Sequence, residues 1–159
     1  MLMNLVWGTS LMSDLTTPSQ TSLNSIQKKL QIVEDLLLTL PQTHCKTDHY
    51  FADGLYLRQI IIPEGATLTG AVHLTETLDI MVYGDLIVTT EDGRRHITKP
   101  GSVFVSKIGR KKVAYALKET MWLTVHAVED VKNKTMDEIE QELCVDSYTE
   151  YHKLLERKI

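Results

Sequence analysis

Apolar side chains recur at helical spacing between residues 22 and 41, and from about residue 50 the period changes to that of strands. Leu23, Ile26, Leu30, Val33, Leu37 and Leu40 succeed one another at steps of three, four, three, four and three. This a/d seam predicts a helix over 22–41, with Thr21 or Ser22 as N-cap and Pro41 at its end. Ile32, Leu36 and Leu38 broaden the apolar face. A seam of this length suits either packing on its own domain or joining neighbouring copies in an oligomer. The polar stretch PQTHCKTDH separates the helix from the β-rich body and keeps both arrangements open. Upstream, residues 13–21 are polar, contain a proline and show no period, so 1–21 reads as a flexible or docking arm. Met12 looks like a natural start, which makes residues 1–11 an upstream extension.

From 44 to 130 the texture is that of short strands. GLYLRQIIIP reads as a strand stopped by Pro63-Glu64-Gly65, and LDIMVYGDLIVTT as two short strands joined at Gly84-Asp85. Asp92-Gly93 is a strong hairpin signal. A Pro-Gly turn precedes SVFVS; KKVAYAL and TMWLTVHAV then read as two strands separated by the polar KET. Turn signals every eight to twelve residues predict a sandwich or barrel. The tail, 134–159, is helical: Thr135 with Glu138 forms a capping box, and Ser147 with Glu150 opens a second unit. Ile139, Leu143, Tyr148, Tyr151 and Leu155 supply its inward side.

Length and composition add little to this picture. A chain of 159 residues with 43% apolar and 24% charged positions is expected to form one domain with accessory terminal segments. No run approaches the roughly 20 apolar residues that cross a bilayer, and the apolar opening lacks the basic flank of a signal peptide. No membrane partner is expected. Cys45 and Cys144 lie far apart and read as reduced thiols. A net charge of −4 argues against broad nucleic-acid binding. Its distribution is uneven, because no acid interrupts the basic residues between Arg94 and Lys118. Arg94, Arg95, Arg110, Lys111 and Lys112 form either a solvated sheet surface or an anion-binding patch. No nucleophile elbow with its triad, Cys-His pair in a catalytic context or Gly-rich phosphate loop is present.

The β region carries PEG, HLTE, YGDL, EDG and KPGSVFV in that order and resembles a cupin. Gly65, His73, Glu76 and Gly84 fall near the positions of the first cupin motif. Ala71 stands in place of its first histidine and Thr77 in place of its glutamate. KPGSVFVSKIGRKKV resembles the second motif, with Gly109 in register and Lys112 where a metal histidine belongs. A closer resemblance is to bacteriophage-encoded cupin-like proteins, mostly of unknown function. It rests on His49, Phe51, Gly54, Tyr56 and Arg58, then Pro63, Gly65, Gly70, His73 and Glu76, and finally Trp122, Thr124, Val125 and His126. It covers residues 47–130 and the acidic helical tail. The fold it implies is mainly β: a cupin-like double-stranded β-helix (jelly-roll) barrel with an N-terminal amphipathic helix and a helical C-terminal tail.

The resemblance also implies a metal site of His73, Glu76 and His126, with His49 as a fourth candidate, for zinc, iron, manganese or nickel. Residues three apart on a regular strand point to opposite faces, so His73 and Glu76 converge only across a bend. His126 shares a strand face with Trp122, Thr124 and Val128 and approaches His73 if that face is inward. The competing assignment makes both histidines neutral and buried. Arg58 is expected to pair with Asp79 or Glu119, and Trp122 to be a core aromatic. Three functions are open on these grounds. The first is a non-enzymatic binding or structural phage protein, a virion or tail component that self-assembles as a homo-oligomer with other phage structural proteins. The second is a metal-dependent cupin enzyme or small-ligand sensor. The third is an anion or nucleic-acid binder. The expected location is the host cytoplasm or the virion, and no reaction is named by the sequence.

Overall fold

The computed structural model describes residues 24–157. Thr21, Ser22, Leu23 and the 1–21 arm lie outside the described residues. Helix α1 (Ser25–Leu38) begins later than the seam predicts, because Asn24 is its N-cap. The Asn24 Oδ1 accepts from the backbone N–H of Ile26 and Gln27 at 3.1 and 2.9 Å, and the Gln27 side chain returns the contact. The chain then forms β1 (Lys46–Ala52), β2 (Leu55–Ile62), β3 (Thr67–Thr69), β4 (Val72–His73) and β5 (Thr77–Thr90). Next come β6 (Gly93–Ile97), β7 (Ser102–Ser106) and β8 (Val113–Ala127), a 3-10 turn (Val131–Asn133), α2 (Met136–Leu143), β9 (Cys144–Val145) and α3 (Tyr148–Glu156).

Among the described residues every strand pairing is antiparallel, and two long strands organise the sheet. The first parts of β5 and last parts of β8 pair with each other and with β7 and β2, while β1 adds to β2 as an edge. Their other halves pair with each other and with β6 and β3. The result is two half-sheets sharing two strands. Both predicted breaks are therefore corrected: Gly84-Asp85 and KET lie within strands. The pairing shifts register between Met81 and Leu86. Gly84 has φ +124°, and a Cβ there would sit 2.2 Å from the Thr120 Oγ1 and 2.6 Å from its Cα. The glycine lets the strand bend against its neighbour, and no chain reversal occurs. Asp92-Gly93 does form the β5–β6 hairpin. PQTHCKTDH is not wholly a linker, since β1 takes up its last residues. That strand is a polar edge with little burial, so it shows no alternation.

The inner face alternates cleanly. Tyr56, Arg58, Ile60 and Ile62 on β2 are buried, as are Thr120, Trp122, Thr124 and His126 on β8. Thr77, Asp79 and Met81 continue the face on β5; after the register shift the buried positions become Leu86 and Val88. The apolar cluster of Ile60, Ile62, Met81, Leu86, Val88, Ile97, Ala114 and Trp122 fills the space between the half-sheets. At one end, Ile139 and Leu143 of α2 pack with Tyr56, Val128 and Val131. Leu30 of α1 meets Val72 and Tyr148 of α3 in a third cluster. The tail capping box at Thr135–Glu138 and the Ser147 cap are both present. Leu155, expected inward, is 43% exposed.

The helical seam is split by how α1 is held. Glu34 is buried and its Oε2 lies 2.6 Å from the Lys111 Nζ, which also donates to the carbonyl of Asp146 at 2.8 Å. Thr69 and Gln31 donate to the same carboxylate. This polar contact turns the Leu30–Glu34 stripe inward, with Leu37 half-buried. Ile26, Val33 and Leu40, assigned to the same seam, are exposed beside Ile32 and Leu36.

Candidate functional site

Strand register sorts the inner face into rows. Tyr56, His126, Thr77 and Ser106 form one row across β2, β8, β5 and β7; Arg58, Thr124, Asp79 and Phe104 form the next. Ile60, Trp122 and Met81 lie in the row after. The interior is polar at one end and apolar at the other.

Asp79 is the hub of the polar end. Its Oδ2 accepts from the Lys112 Nζ at 2.5 Å and the Ser106 Oγ at 2.5 Å. Its Oδ1 accepts from the Trp122 Nε1 at 3.1 Å and the Thr124 Oγ1 at 2.9 Å. Burial alone drives this carboxyl upward, but Lys112 and these hydrogen bonds outweigh it and hold Asp79 below its ordinary pKa. Burial lowers the Lys112 ammonium, against the opposing pull of Asp79.

His73 arrives from outside the sheet, on the short β4–β9 ladder. Its backbone N–H bonds to the Arg110 carbonyl at 3.0 Å, and its own carbonyl accepts from Gly109 at 2.8 Å. This places its ring against that of His126, with centroids 5.7 Å apart and planes 19° from parallel. Tyr56 also stacks on His126 at 5.5 Å, and His49 and Phe51 stack on Tyr56. The Nδ1 of His49 lies 2.7 Å from the Tyr56 hydroxyl. Burial holds His73 down at about 3 and His126 at about 4, so both rings are neutral at physiological pH. Burial pushes the Tyr56 hydroxyl up to about 12. The Nδ1 of His73, both ring nitrogens of His126 and the Thr77 Oγ1 are buried with no hydrogen-bond partner.

The metal set named from sequence is thus brought together in part. His73 and His126 meet; Glu76 is exposed beyond the bend at Leu74-Thr75, and His49 is engaged with Tyr56. The nearby carboxylate of Asp79 is occupied by four donors. Among the described residues no group of three or more His, Cys, Asp or Glu side chains is arranged to hold a metal ion. Among the described residues, two imidazoles alone fall short of the three or four protein ligands a divalent-metal site uses.

The basic patch is also divided. Lys111 faces outward to Glu34 and Lys112 inward to Asp79, as successive residues of an extended segment do. Arg110 pairs with Asp92 and lies near Glu91, while Arg94 and Arg95 are exposed on β6. Arg95, Arg110 and Lys112 still meet around one cavity of about 40 Å³ beside Asp79 and Trp122. Arg58 pairs with neither residue expected of it: Asp79 lies in the same row with a strand between, and Glu119 accepts from Tyr83. Sequence reasoning named the histidines but missed Asp79, Ser106 and Thr124 as a set. Their alternation with apolar residues was visible, and their convergence was not.

No family model matches the sequence, and no curated protein does. Among solved structures, the chain is similar to KdgF from Halomonas sp., with 16% identity over 62% of this chain and 88% of that one, at a TM-score of 0.49. It is also similar to the cupin domain of Cnp3 from Schizosaccharomyces pombe, with 15% identity, 61% and 70% coverage and a TM-score of 0.47. A cupin domain from Bordetella pertussis matches at 12% identity, covering 56% of this chain and 98% of that one, with a TM-score of 0.45.

The neutral histidines make stability pH-dependent. Each binds a proton near 6.5 when unfolded and near 3 to 4 when folded. Unfolded chains therefore bind more protons between these values, and folding stability falls as pH falls through that window. Above pH 6.5 these two groups contribute little slope. Ring ¹⁵N chemical shifts should show His73 and His126 of the folded protein still neutral at about pH 5. Protonation of either buried ring near pH 6.5 in the folded protein would contradict the assignment.

Proposed function

We propose that this chain is a cupin-like binding protein, non-enzymatic, that holds a small molecule in the interior between its half-sheets. The observation that carries this reading is the set of buried, unpartnered atoms on His73, Thr77 and His126. More than about 90% of buried polar groups in proteins have partners, and three orphaned side chains around one ring stack are what a bound ligand satisfies. The titration behaviour favours binding over acid–base chemistry. A general acid or base works best with a pKa near the operating pH, whereas His73, His126 and Asp79 are pushed down and Tyr56 is pushed up. The strand order, the shared long strands and the inward alternation support a double-stranded β-helix. The sequence resemblance supports reading the chain as a phage product, free in the host cytoplasm or built into a virion. No helix among the described residues is long and apolar enough to cross a membrane. A fragment screen read by the histidine ring signals tests the binding site. Ligands should perturb His73 and His126 saturably, and His126→Phe, which keeps the stack but removes both nitrogens, should weaken them about tenfold or more. A screen that moves only surface histidines would overturn the proposal.

Self-assembly is favoured by a separate observation. Val103 and Val105 on edge strand β7 are 57% and 60% exposed, and they lie in register with Ile80 and exposed Leu78 of β5. An exposed apolar edge invites pairing with another sheet, and the occupant we assign is a second copy of this chain. Sedimentation should give a dimer or larger at micromolar concentration, and Val103→Glu with Val105→Glu should yield a folded monomer. A monomeric parent chain would contradict this assignment.

A further inference from the structure

Arg58 stands apart from the other polar groups of the interior. It is 4% exposed, and among the described residues it makes no ion pair and no hydrogen bond. Burial pulls its pKa down, and Tyr56, Glu140 of α2 and the thiols of Cys144 and Cys45 oppose this electrostatically. Asp79 shares its row, but Thr124 stands between them, placing the two backbones about 10 Å apart at normal strand spacing. The guanidinium remains protonated in any folded protein. A buried charge without a partner is among the most destabilising features a core can carry.

Arg58 and Lys112 bring two positive charges to this part of the interior; Lys112 is met by Asp79, and Glu140 acts on Arg58 from α2. Arg58, Lys112 and His73 line the same cavity, of about 50 Å³, whose other walls include Ile60, Leu86 and Trp122. Lys112 uses one of its three donors on Asp79. The cavity therefore offers a complete guanidinium fork, spare ammonium donors and an apolar floor.

We infer that this cavity binds a small monocarboxylate with a short apolar chain, its carboxylate held by Arg58 and Lys112 and its chain lying against Ile60, Leu86 and Trp122. This rests on the reading of the interior as a ligand site and names the ligand class. The planar fork matches a carboxylate bidentately. With Lys112 already met by Asp79, the single guanidinium that makes no ion pair among the described residues suits a monoanion better than a dianion such as phosphate. The apolar walls select a carbon chain over chloride, and the volume limits it to a few carbons.

The test uses the full chain with butyrate, its neutral isostere butyramide, chloride and phosphate, measured by isothermal titration and thermal unfolding. Butyrate should bind one to one, about tenfold or more tighter than the other three, in keeping with the strength of charge-assisted bonds. Arg58→Met should lose the butyrate effect while unfolding, without ligand, at the same or a higher temperature, because a buried cation with no ion pair among the described residues has been removed. Arg58→Lys, which keeps the charge and loses the fork, should bind butyrate more weakly than the parent. Equal binding of butyramide, or undiminished butyrate binding by Arg58→Met, would overturn the carboxylate assignment while leaving the interior as a ligand site. No saturable response to butyrate overturns the inference, and the fragment screen decides separately whether the interior binds anything.

Discussion

The interior is built around one carboxylate. Asp79 collects donors from Ser106 on β7, Trp122 and Thr124 on β8, and Lys112 from the segment entering β8. A buried carboxylate needs partners in its ionised form, and here three separate pieces of chain must be in place to supply them. The same segment reaches the opposite way through Lys111, which holds α1 through Glu34. Two successive lysines thereby tie the inside of the sheet and its covering helix to the same few residues of backbone. If residues 111–112 move, both attachments are lost.

The layered interior depends on this anchor. Asp79 fixes one row, the ring stack of Tyr56, His126 and His73 lies beyond it, and the apolar core begins at Trp122. Trp122 belongs to both sides, packing with the core while its indole N–H meets Asp79. Polar atoms left without partners sit in the stack, and Arg58 beside it makes no ion pair among the described residues. One carboxylate is thus satisfied four times, while the Nδ1 of His73 and both ring nitrogens of neighbouring His126 have no hydrogen-bond partner.

Local pattern revealed much of the fold. Alternation along β2 and β8 was readable because one face of each strand is buried, and the capping signals of α2 and α3 were local. The long strands were not readable as units: a glycine before Asp85 and a polar triplet after Leu117 are ordinary turn signals. Only packing against Thr120 shows Gly84 to be a bend inside a strand. The orientation of α1 was hidden because Glu34 meets a lysine 77 positions away. In the site, strand parity put His126 on one face with Trp122 and Thr124 and separated His73 from Glu76, but which face is inward was not readable. The Asp79 network and the isolation of Arg58 depend on which strands are neighbours, and a single sequence does not state that order.

The Asp79–Lys112 contact is the point at which the interior stands or falls as a unit. A double-mutant cycle on Asp79→Asn, Lys112→Met and the combined variant, read by urea unfolding near neutral pH, measures it directly. Each single change is predicted to destabilise by about 3–5 kcal/mol, because it strands the opposite charge. The pair should couple by about 2 kcal/mol or more, leaving the double variant closer to the parent than the sum of its parts. Additive effects within about 0.5 kcal/mol would contradict it.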